Sequence, residues 1–174
     1  MKKCKNCKQP FQPYNSLQKF CFEPECTKVM IAEAKKKQWA KTKKEFKEND
    51  IEVWKKLCQT ICHKYIRLRD WDKGCISCGK PAKEKNFDAG HMWSSGGHSN
   101  IRYNEYNING QCSRPCNKDL AGDINNYRLN FVKRYSQEIL DNLDSISKAE
   151  KRYTIDDYKE IISYYKEKIR NFKK

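Results

Sequence analysis

The chain has 174 residues, with 37 lysines and arginines against 22 aspartates and glutamates, which gives a formal net charge of +15 and a pI near 9.3. Hydrophobic residues make up 37% of the chain and its mean hydropathy is −1.05, values that argue against one large apolar core. No apolar run approaches the ~20 residues of a membrane helix, and no secretory signal follows Met1. These features exclude a membrane protein and a secreted disulfide scaffold, and they favour small metal-stabilised domains that bind a polyanion.

Composition divides the chain into four predicted segments. Residues 1–26 hold four cysteines and little apolar material. Residues 27–70 contain a lysine-rich helix and then, after the punctuation point at Asp50, an amphipathic helix. Residues 71–122 are irregular and glycine-rich, with four further cysteines, and residues 123–174 return to helix. The expected fold class is therefore mainly α, with a small metal-stapled α+β module of low strand content.

Three apolar patterns predict the helices that follow Asp50. One helix is expected from about Ile51 to Asp70, one from Asn125 to about Leu143, and one from near Thr154, where Asp157 suggests a capping box. The first and last show apolar stripes at Trp54, Leu57, Cys58, Ile61, Tyr65 and Leu68, and at Tyr158, Ile161, Ile162, Tyr165, Ile169 and Phe172. These stripes could join two copies into a homodimer or pack together within one chain.

Eight of the ten cysteines fall into two sets with the spacing of metal ligands, namely Cys4, Cys7, Cys21 and Cys26, and Cys75, Cys78, Cys112 and Cys116. A CxxC loop places two thiolates on one ion and a distant pair completes the tetrahedron, so we expect two structural Zn²⁺ sites. Buried structural cysteines, disulfides or an iron–sulfur cluster are the alternatives. Cys58 and Cys62 could bind a metal with His63, but their place in and beside an apolar stripe favours burial as small hydrophobes.

Between the second cysteine pairs lies a candidate catalytic group. Asp88 and His91 lie on one side of a glycine-rich turn, and Asn117 directly follows the closing cysteine pair. An imidazole suits the general base of phosphodiester hydrolysis, and carboxylate and amide oxygens suit a hard cation such as Mg²⁺ or Mn²⁺. Arg102 or Arg114 could contact the scissile phosphate. The alternative is that His91 only forms a hydrogen bond within a zinc-ribbon loop.

This region, roughly Cys75 to Gly122, resembles the HNH, or ββα-metal, nuclease motif. The resemblance implies that His91 is the general base, that Asn107 is the bracing asparagine, and that Asn117 and Asp88 are ligands of the catalytic cation. Asn109 is an alternative site residue. Two departures from the motif are Gly90 directly before the base and one extra residue between the closing cysteines.

Longer ordered matches connect most of the chain with one phage family. They include Cys4-Lys5-Asn6-Cys7, Tyr65-Ile66-Arg67-Leu68-Arg69-Asp70, Cys75-Ile76-Ser77-Cys78-Gly79, Asp88-Ala89-Gly90-His91, and Gln111-Cys112 with Cys116-Asn117. Residues 1–135 thus resemble the lambdoid phage recombination family known as NinG or Rap, which typically has histidine where this chain has Asn109. The resemblance implies a metal-dependent, structure-specific endonuclease acting on Holliday junctions or D-loops. It also implies the bacterial host cytoplasm and phage or host recombination partners.

The positive charge is concentrated toward the N-terminus, where residues 1–50 contain thirteen lysines and six acidic residues. The residues expected to contact DNA phosphates are Lys35, Lys36, Lys37, Lys41, Lys43 and Lys44, with Arg102 and Arg114 near the catalytic group. Trp93 could stack on a base or wedge at a junction, and His98 is expected to be a solvated loop residue. A solvated lysine helix, a non-catalytic zinc-ribbon DNA binder and a protein that recruits a host partner through its C-terminal helices are the alternatives.

Overall fold

The computed structural model describes residues 1–172 and divides the chain into two units, Met1–Asp50 and a second unit from Ile51 onward. The boundary falls at Asp50, where the sequence predicts a break between helices, so the predicted segment 27–70 contributes to both units. Lys173 and Lys174, the end of the predicted C-terminal segment, lie outside the described residues. No helix within residues 1–172 is both long and apolar enough to cross a membrane.

The first unit is a small hairpin followed by one long helix. Strands β1 (Lys2–Lys3) and β2 (Pro10–Phe11) pair antiparallel, and helix α1 spans Pro24–Asn49. Cys26 is the only residue of α1 that is buried, so the prediction of a basic helix without a core face is confirmed. The helix begins three residues earlier than predicted, because Pro24 suits a first turn that lacks partners for its N–H groups.

Within residues 51–172, the second unit contains four α-helices and one hairpin. In chain order they are α2 (Ile51–Arg69), β3 (Phe87–His91), β4 (Ile108–Cys112), α3 (Ile124–Arg134), α4 (Gln137–Ser147) and α5 (Ile155–Phe172). The predicted stripes of α2 and α5 pack against each other within the chain and form the largest core of the described residues. Their buried residues are Cys58, Cys62, Tyr65, Ile66, Tyr158, Ile162, Tyr165 and Ile169.

The prediction of one continuous helix over Asn125 to Leu143 is wrong, because α3 ends at Arg134 and α4 begins at Gln137. Ser136 caps the new helix, its Oγ accepting a hydrogen bond from the Ile139 N–H at 3.2 Å. The predicted capping box of α5 is confirmed: the Thr154 N–H donates to Asp157 at 2.8 Å, and the Asp157 N–H donates back to the Thr154 hydroxyl at 3.2 Å.

The hairpin positions the candidate site. Strands β3 and β4 pair antiparallel with Asp88 opposite Gln111 and His91 opposite Ile108. The hairpin packs closely at Gly110, where an added Cβ would lie 2.3 Å from the ring of Phe87 and 2.8 Å from Cβ of Asp70. Glycine is therefore required at this position for the end of α2 to approach the strand.

A buried ion pair joins the end of α2 to this hairpin. Asp70 is fully buried and accepts hydrogen bonds from Arg69 at 2.6 and 2.8 Å and from the Gly110 N–H at 2.9 Å. Arg69 also donates to the carbonyl oxygens of Glu105 and Ile108, each at 2.9 Å. Because each partner satisfies groups that water cannot reach, the pair is costly to break.

We expect Asp70→Ala to lower the free energy of unfolding by about 3 to 5 kcal/mol, because it removes the nearer of the two carboxylates that pair with the largely buried guanidinium of Arg69. Urea denaturation at pH 7 measures this loss. Asp72→Ala is the matched control, since Asp72 is exposed, and it should change the stability by less than about 0.5 kcal/mol. Equal stability of both variants would contradict the prediction.

The same pair predicts a pH dependence of stability. Burial raises the pKa of Asp70, but the hydrogen bonds and charge of Arg69 outweigh it and hold that pKa below its ordinary value. The contribution of Asp70 is therefore fully present above its unfolded pKa of about 3.9, and it is lost as the pH falls through the native pKa. The stability difference between wild type and Asp70→Ala should shrink on acidification, as urea midpoints at pH 7 and below pH 4 would show.

Candidate functional site

The structure brings the eight paired cysteines into two four-sulfur clusters. Within each cluster all Sγ atoms lie within 4.8 Å of one another, with Cys7 and Cys21 3.8 Å apart and Cys78 and Cys112 3.7 Å apart. Four thiolates about 2.3 Å from one tetrahedral ion would be about 3.8 Å apart, so each cluster could hold a metal ion. All ten cysteines are free, which removes the disulfide alternative. Cys58 and Cys62 lie in the core of α2 and α5, as predicted.

Backbone N–H groups point at the sulfurs, as they do where a thiolate has to be stabilised. The Cys21 N–H lies 3.3 Å from the Cys4 sulfur, and the Cys112 N–H lies 3.3 Å from the Cys75 sulfur. Desolvation raises the pKa of Cys4, but backbone hydrogen bonds led by that of Cys21 outweigh it and lower the pKa to about 6. The N–H groups directed at the Cys4 and Cys75 sulfurs would stabilise metal-bound thiolates at these two positions.

His91 ends β3 at the edge of a cavity of about 240 Å³. Its Nε2 lies 3.1 Å from the carbonyl oxygen of Arg102. Because a carbonyl only accepts, Nε2 carries the proton and Nδ1 keeps the lone pair of a base. Burial lowers the pKa of His91, more than the hydrogen bond to Arg102 raises it, so the ring is neutral at pH 7.

A second histidine, His63, faces His91 from α2. The two rings meet edge to face with their centroids 5.4 Å apart, and both line the cavity. Burial lowers the pKa of His63 to about 4, aided by His91 and Arg67, while the carboxylate of Asp88 raises it. From the sequence, His63 was considered only as a possible metal ligand beside Cys58 and Cys62. The signal missed was the polar spacing of Lys55, Gln59 and His63, which recurs every four residues beside the apolar stripe.

Asp88 and Asn117 meet as the spacing predicted. The Asn117 amide donates to the Asp88 carboxylate at 3.3 Å, and the Lys118 ammonium lies 3.9 Å from the same oxygen. Asn117 closes the turn of residues Ser113–Asn117 that follows β4. Within residues 1–172, the two cysteine clusters are the only sets of three or more His, Cys, Asp or Glu side chains that converge as metal ligands.

The two other asparagines of the predicted site, Asn107 and Asn109, are buried outside the cavity, where they form hydrogen bonds within the fold. Asn107 accepts from the Trp93 N–H at 2.8 Å and donates to the carbonyl oxygens of Trp93 and Ile101 at 3.0 and 3.1 Å, which braces the loop after His91. Asn109 donates to the Tyr127 hydroxyl at 3.0 Å and accepts from the Tyr135 hydroxyl at 2.8 Å. Full burial gives both residues a positioning role within the fold.

The side chains of Trp93 and His98 form contacts within the second unit. Neither expectation is met, since Trp93 was expected to contact DNA and His98 to be solvated. The Trp93 indole N–H donates to Asp144 at 2.9 Å, and Arg128 lies over its ring. The His98 ring packs on Trp93 with centroids 4.8 Å apart, and its Nδ1 lies 2.9 Å from the Ser147 carbonyl oxygen. His98 is therefore a half-buried link to α4, because its ring satisfies the end of that helix.

The predicted DNA-contacting cations occupy three places. Arg102 lines the cavity and donates to the Ser95 carbonyl oxygen at 2.7 Å, whereas Arg114 is exposed and pairs with Asp119 at 2.9 Å. The six lysines lie on α1, where all are exposed: Lys35, Lys36, Lys37, Lys41, Lys43 and Lys44. Lys43 lies over the exposed ring of Trp39.

We expect Cys75→Ser to reduce the metal content by one ion per chain and to loosen the hairpin, because Cys75 belongs to the cluster that closes on Cys112 at the end of β4. Elemental analysis of the purified protein and its thermal melting curve measure these effects. The control is Cys58→Ser, which alters a buried cysteine outside both clusters and should keep the full metal content. Metal content unchanged by Cys75→Ser would contradict the assignment.

Known proteins match this chain along its whole length. The family described as Bacteriophage Lambda NinG protein matches residues 1–174. The chain is 30% identical over 194 residues to protein ninG of Escherichia phage lambda, covering 99% of this chain and 93% of that protein. It is 29% identical over 194 residues to protein ninG of Salmonella phage P22, covering 99% and 94%. No solved structure matches the chain. Because the match runs from end to end, the chain belongs to the NinG family of lambdoid phage proteins.

Proposed function

We propose that this protein is a metal-dependent endonuclease that cuts branched DNA recombination intermediates, such as Holliday junctions or D-loops. The observation that carries the proposal is His91, a neutral imidazole held in one tautomer by the Arg102 carbonyl at the edge of a cavity. A fixed base beside an open cavity is what activation of a water molecule requires. The resemblance to the HNH motif supports the same reaction.

In the proposed reaction, Nδ1 of His91 takes a proton from a water molecule whose oxygen attacks the scissile phosphorus. The bond between phosphorus and the 3′ oxygen breaks, and the leaving oxygen takes up a proton from solvent. Arg102 lines the same cavity and offers its positive charge to the phosphate. His91 thus supplies the base, while Asn107 holds the loop that follows it.

Asp88 and Asn117 are the residues that would hold the catalytic cation. In the contact between them the Asn117 amide N–H donates to the Asp88 carboxylate near the start of β3. With the amide turned over, its oxygen would join the carboxylate oxygens as ligands of the kind that Mg²⁺ or Mn²⁺ prefers, beside several water molecules. When bound, the ion would supply positive charge to the phosphate and the leaving oxygen. The nearby Lys118 ammonium adds to the positive charge at this place.

The ion proposed for the two cysteine clusters is Zn²⁺. Four thiolates at tetrahedral spacing are the donor set of structural zinc, and such a closed shell leaves no position for substrate. The clusters stabilise segments with little core of their own, as the small buried group of Cys4, Phe20 and Cys26 in the first unit illustrates. Zinc therefore takes a folding role and the oxygen-bound cation a catalytic one.

Binding to DNA is proposed from charge, and the preference for branched DNA from the family resemblance. Exposed lysines on α1 offer phosphate contacts that release counterions and carry no base readout. A helix that positions DNA without reading its sequence suits an enzyme that recognises shape. Phage or host recombination proteins are proposed as partners on the same resemblance.

We expect His91→Ala to reduce cleavage of a labelled four-way junction in Mg²⁺ or Mn²⁺ by about 10²- to 10⁴-fold, because the general base is removed. Binding to the junction should stay near the wild-type level, since the cation site and the lysines remain. Gel analysis of the cleavage products and fluorescence anisotropy measure the two properties.

His98→Gln is the matched control, because His98 is a histidine of the same segment that lies outside the cavity. It should cut the junction at close to the wild-type rate. If wild type binds the junction but cuts no DNA with either cation, the protein is a non-catalytic DNA-binding accessory protein.

A further inference from the structure

Helix α2 presents a second face beside the one that packs on α5. Lys55, Gln59 and His63 are spaced four residues apart, so they form one row along the helix. All three line the cavity of His91, across from β3. Cys58 and Cys62, one position earlier in each turn, belong to the core instead. The helix thus divides into an apolar side and a polar row that borders the candidate active site.

The row has the chemistry of a phosphate-binding surface. Lys55 carries a positive charge, and Gln59 and the neutral His63 offer N–H donors. Arg67 continues the row by one turn, and Arg102 lines the opposite side of the cavity. The carboxylates acting on this surface are Glu52, which pairs with Lys55 at 3.1 Å, and Asp88, which acts on His63. Positive charges and donors therefore predominate along the row.

We infer that Lys55, Gln59 and His63 bind the phosphates of the DNA strand beside the scissile bond and guide that strand to His91. Successive members of the row are about 6 Å apart along the helix axis, so the row can follow consecutive phosphates of an extended strand. These are positioning residues, and the catalytic base is His91. The inference rests on the proposed function, which requires a strand to enter this cavity.

Binding measurements in a His91→Ala background test the row without any cleavage. We expect Lys55→Gln to lower the slope of log K against log salt by about 0.9, the loss of one phosphate contact, which is roughly eightfold weaker binding near 0.1 M salt. The probe is a fluorescent four-way junction followed by anisotropy. The matched control is Lys64→Gln, the same charge change on α2, because Lys64 lines the groove toward α5 and not the cavity.

His63 is tested by a pair of substitutions. His63→Leu should weaken junction binding and, in protein that retains His91, raise KM more than it lowers kcat. His63→Gln, which keeps an N–H donor, should restore most of both properties. A residue that only filled space would be replaced as well by leucine as by glutamine. Thermal melting of each variant checks that the fold is retained.

The outcomes separate this inference from the proposed function. If wild type binds the junction but does not cut it, the nuclease proposal fails, and the row is still judged by the binding data. Wild-type affinity and salt slope for both Lys55→Gln and His63→Leu would overturn the row. An effect of Lys64→Gln as large as that of Lys55→Gln would also overturn it, because charge alone would then explain the loss. Failure of wild type to bind DNA would overturn both proposals.

Discussion

The buried pair of Arg69 and Asp70 determines how the second unit is assembled. It lies at the point where α2 ends, and it holds the backbone of β4 through the Gly110 N–H and the Ile108 carbonyl oxygen. Because Asp70 is fully buried and Arg69 is only 11% exposed, most of their hydrogen bonds are satisfied only when the helix end and the strand are in register. This constraint sets α2 against the hairpin, and the contact between His63 and His91 follows from it.

The hairpin of β3 and β4 borders both the second cysteine cluster and the cavity of His91. Its last residue, Cys112, belongs to the second cysteine cluster, whereas His91 at the end of its partner strand borders the cavity. The two places offer different atoms: soft sulfur ligands in the cluster, and the imidazole nitrogens of His63 and His91 at the cavity. A metal held by the cysteines would stiffen the frame on which the proposed base is mounted, because one of its ligands ends the strand that pairs with β3. The second cysteine cluster and the proposed base His91 thus lie on the same short hairpin.

The buried asparagines Asn107 and Asn109 both stabilise the backbone and side chains around the hairpin. Asn107 clamps both the N–H and the carbonyl oxygen of Trp93, two residues beyond His91, which restricts the loop that leaves the strand. Asn109 joins Arg69, Tyr127 and Tyr135 in one hydrogen-bonded group. Its full burial makes asparagine at this position a component of the same assembly that Arg69 and Asp70 organise.

The local pattern of the sequence was enough to predict the basic helix, the apolar stripes of α2 and α5, the capping box at Thr154 and the grouping of eight cysteines. Each of these features depends on the spacing of residues a few positions apart, or on paired cysteines, which commonly bind metal. The break at Ser136 was missed because an apolar pattern continues across it. Only the hydrogen bond from the Ile139 N–H shows that Ser136 caps α4. Trp93 and His98 were misjudged because their partners, Asp144 and Ser147, lie about fifty residues away.

By itself, therefore, the sequence determined which segments are helical, which cysteines belong together and which residue types are available for chemistry. Only the tertiary structure decided which of them meet. His63 faces His91 because α2 is fixed to the hairpin by Asp70, an approach that requires glycine at position 110. A contact between residues 28 positions apart leaves no periodic signal in the chain, since it depends on how two elements pack and not on the spacing within either.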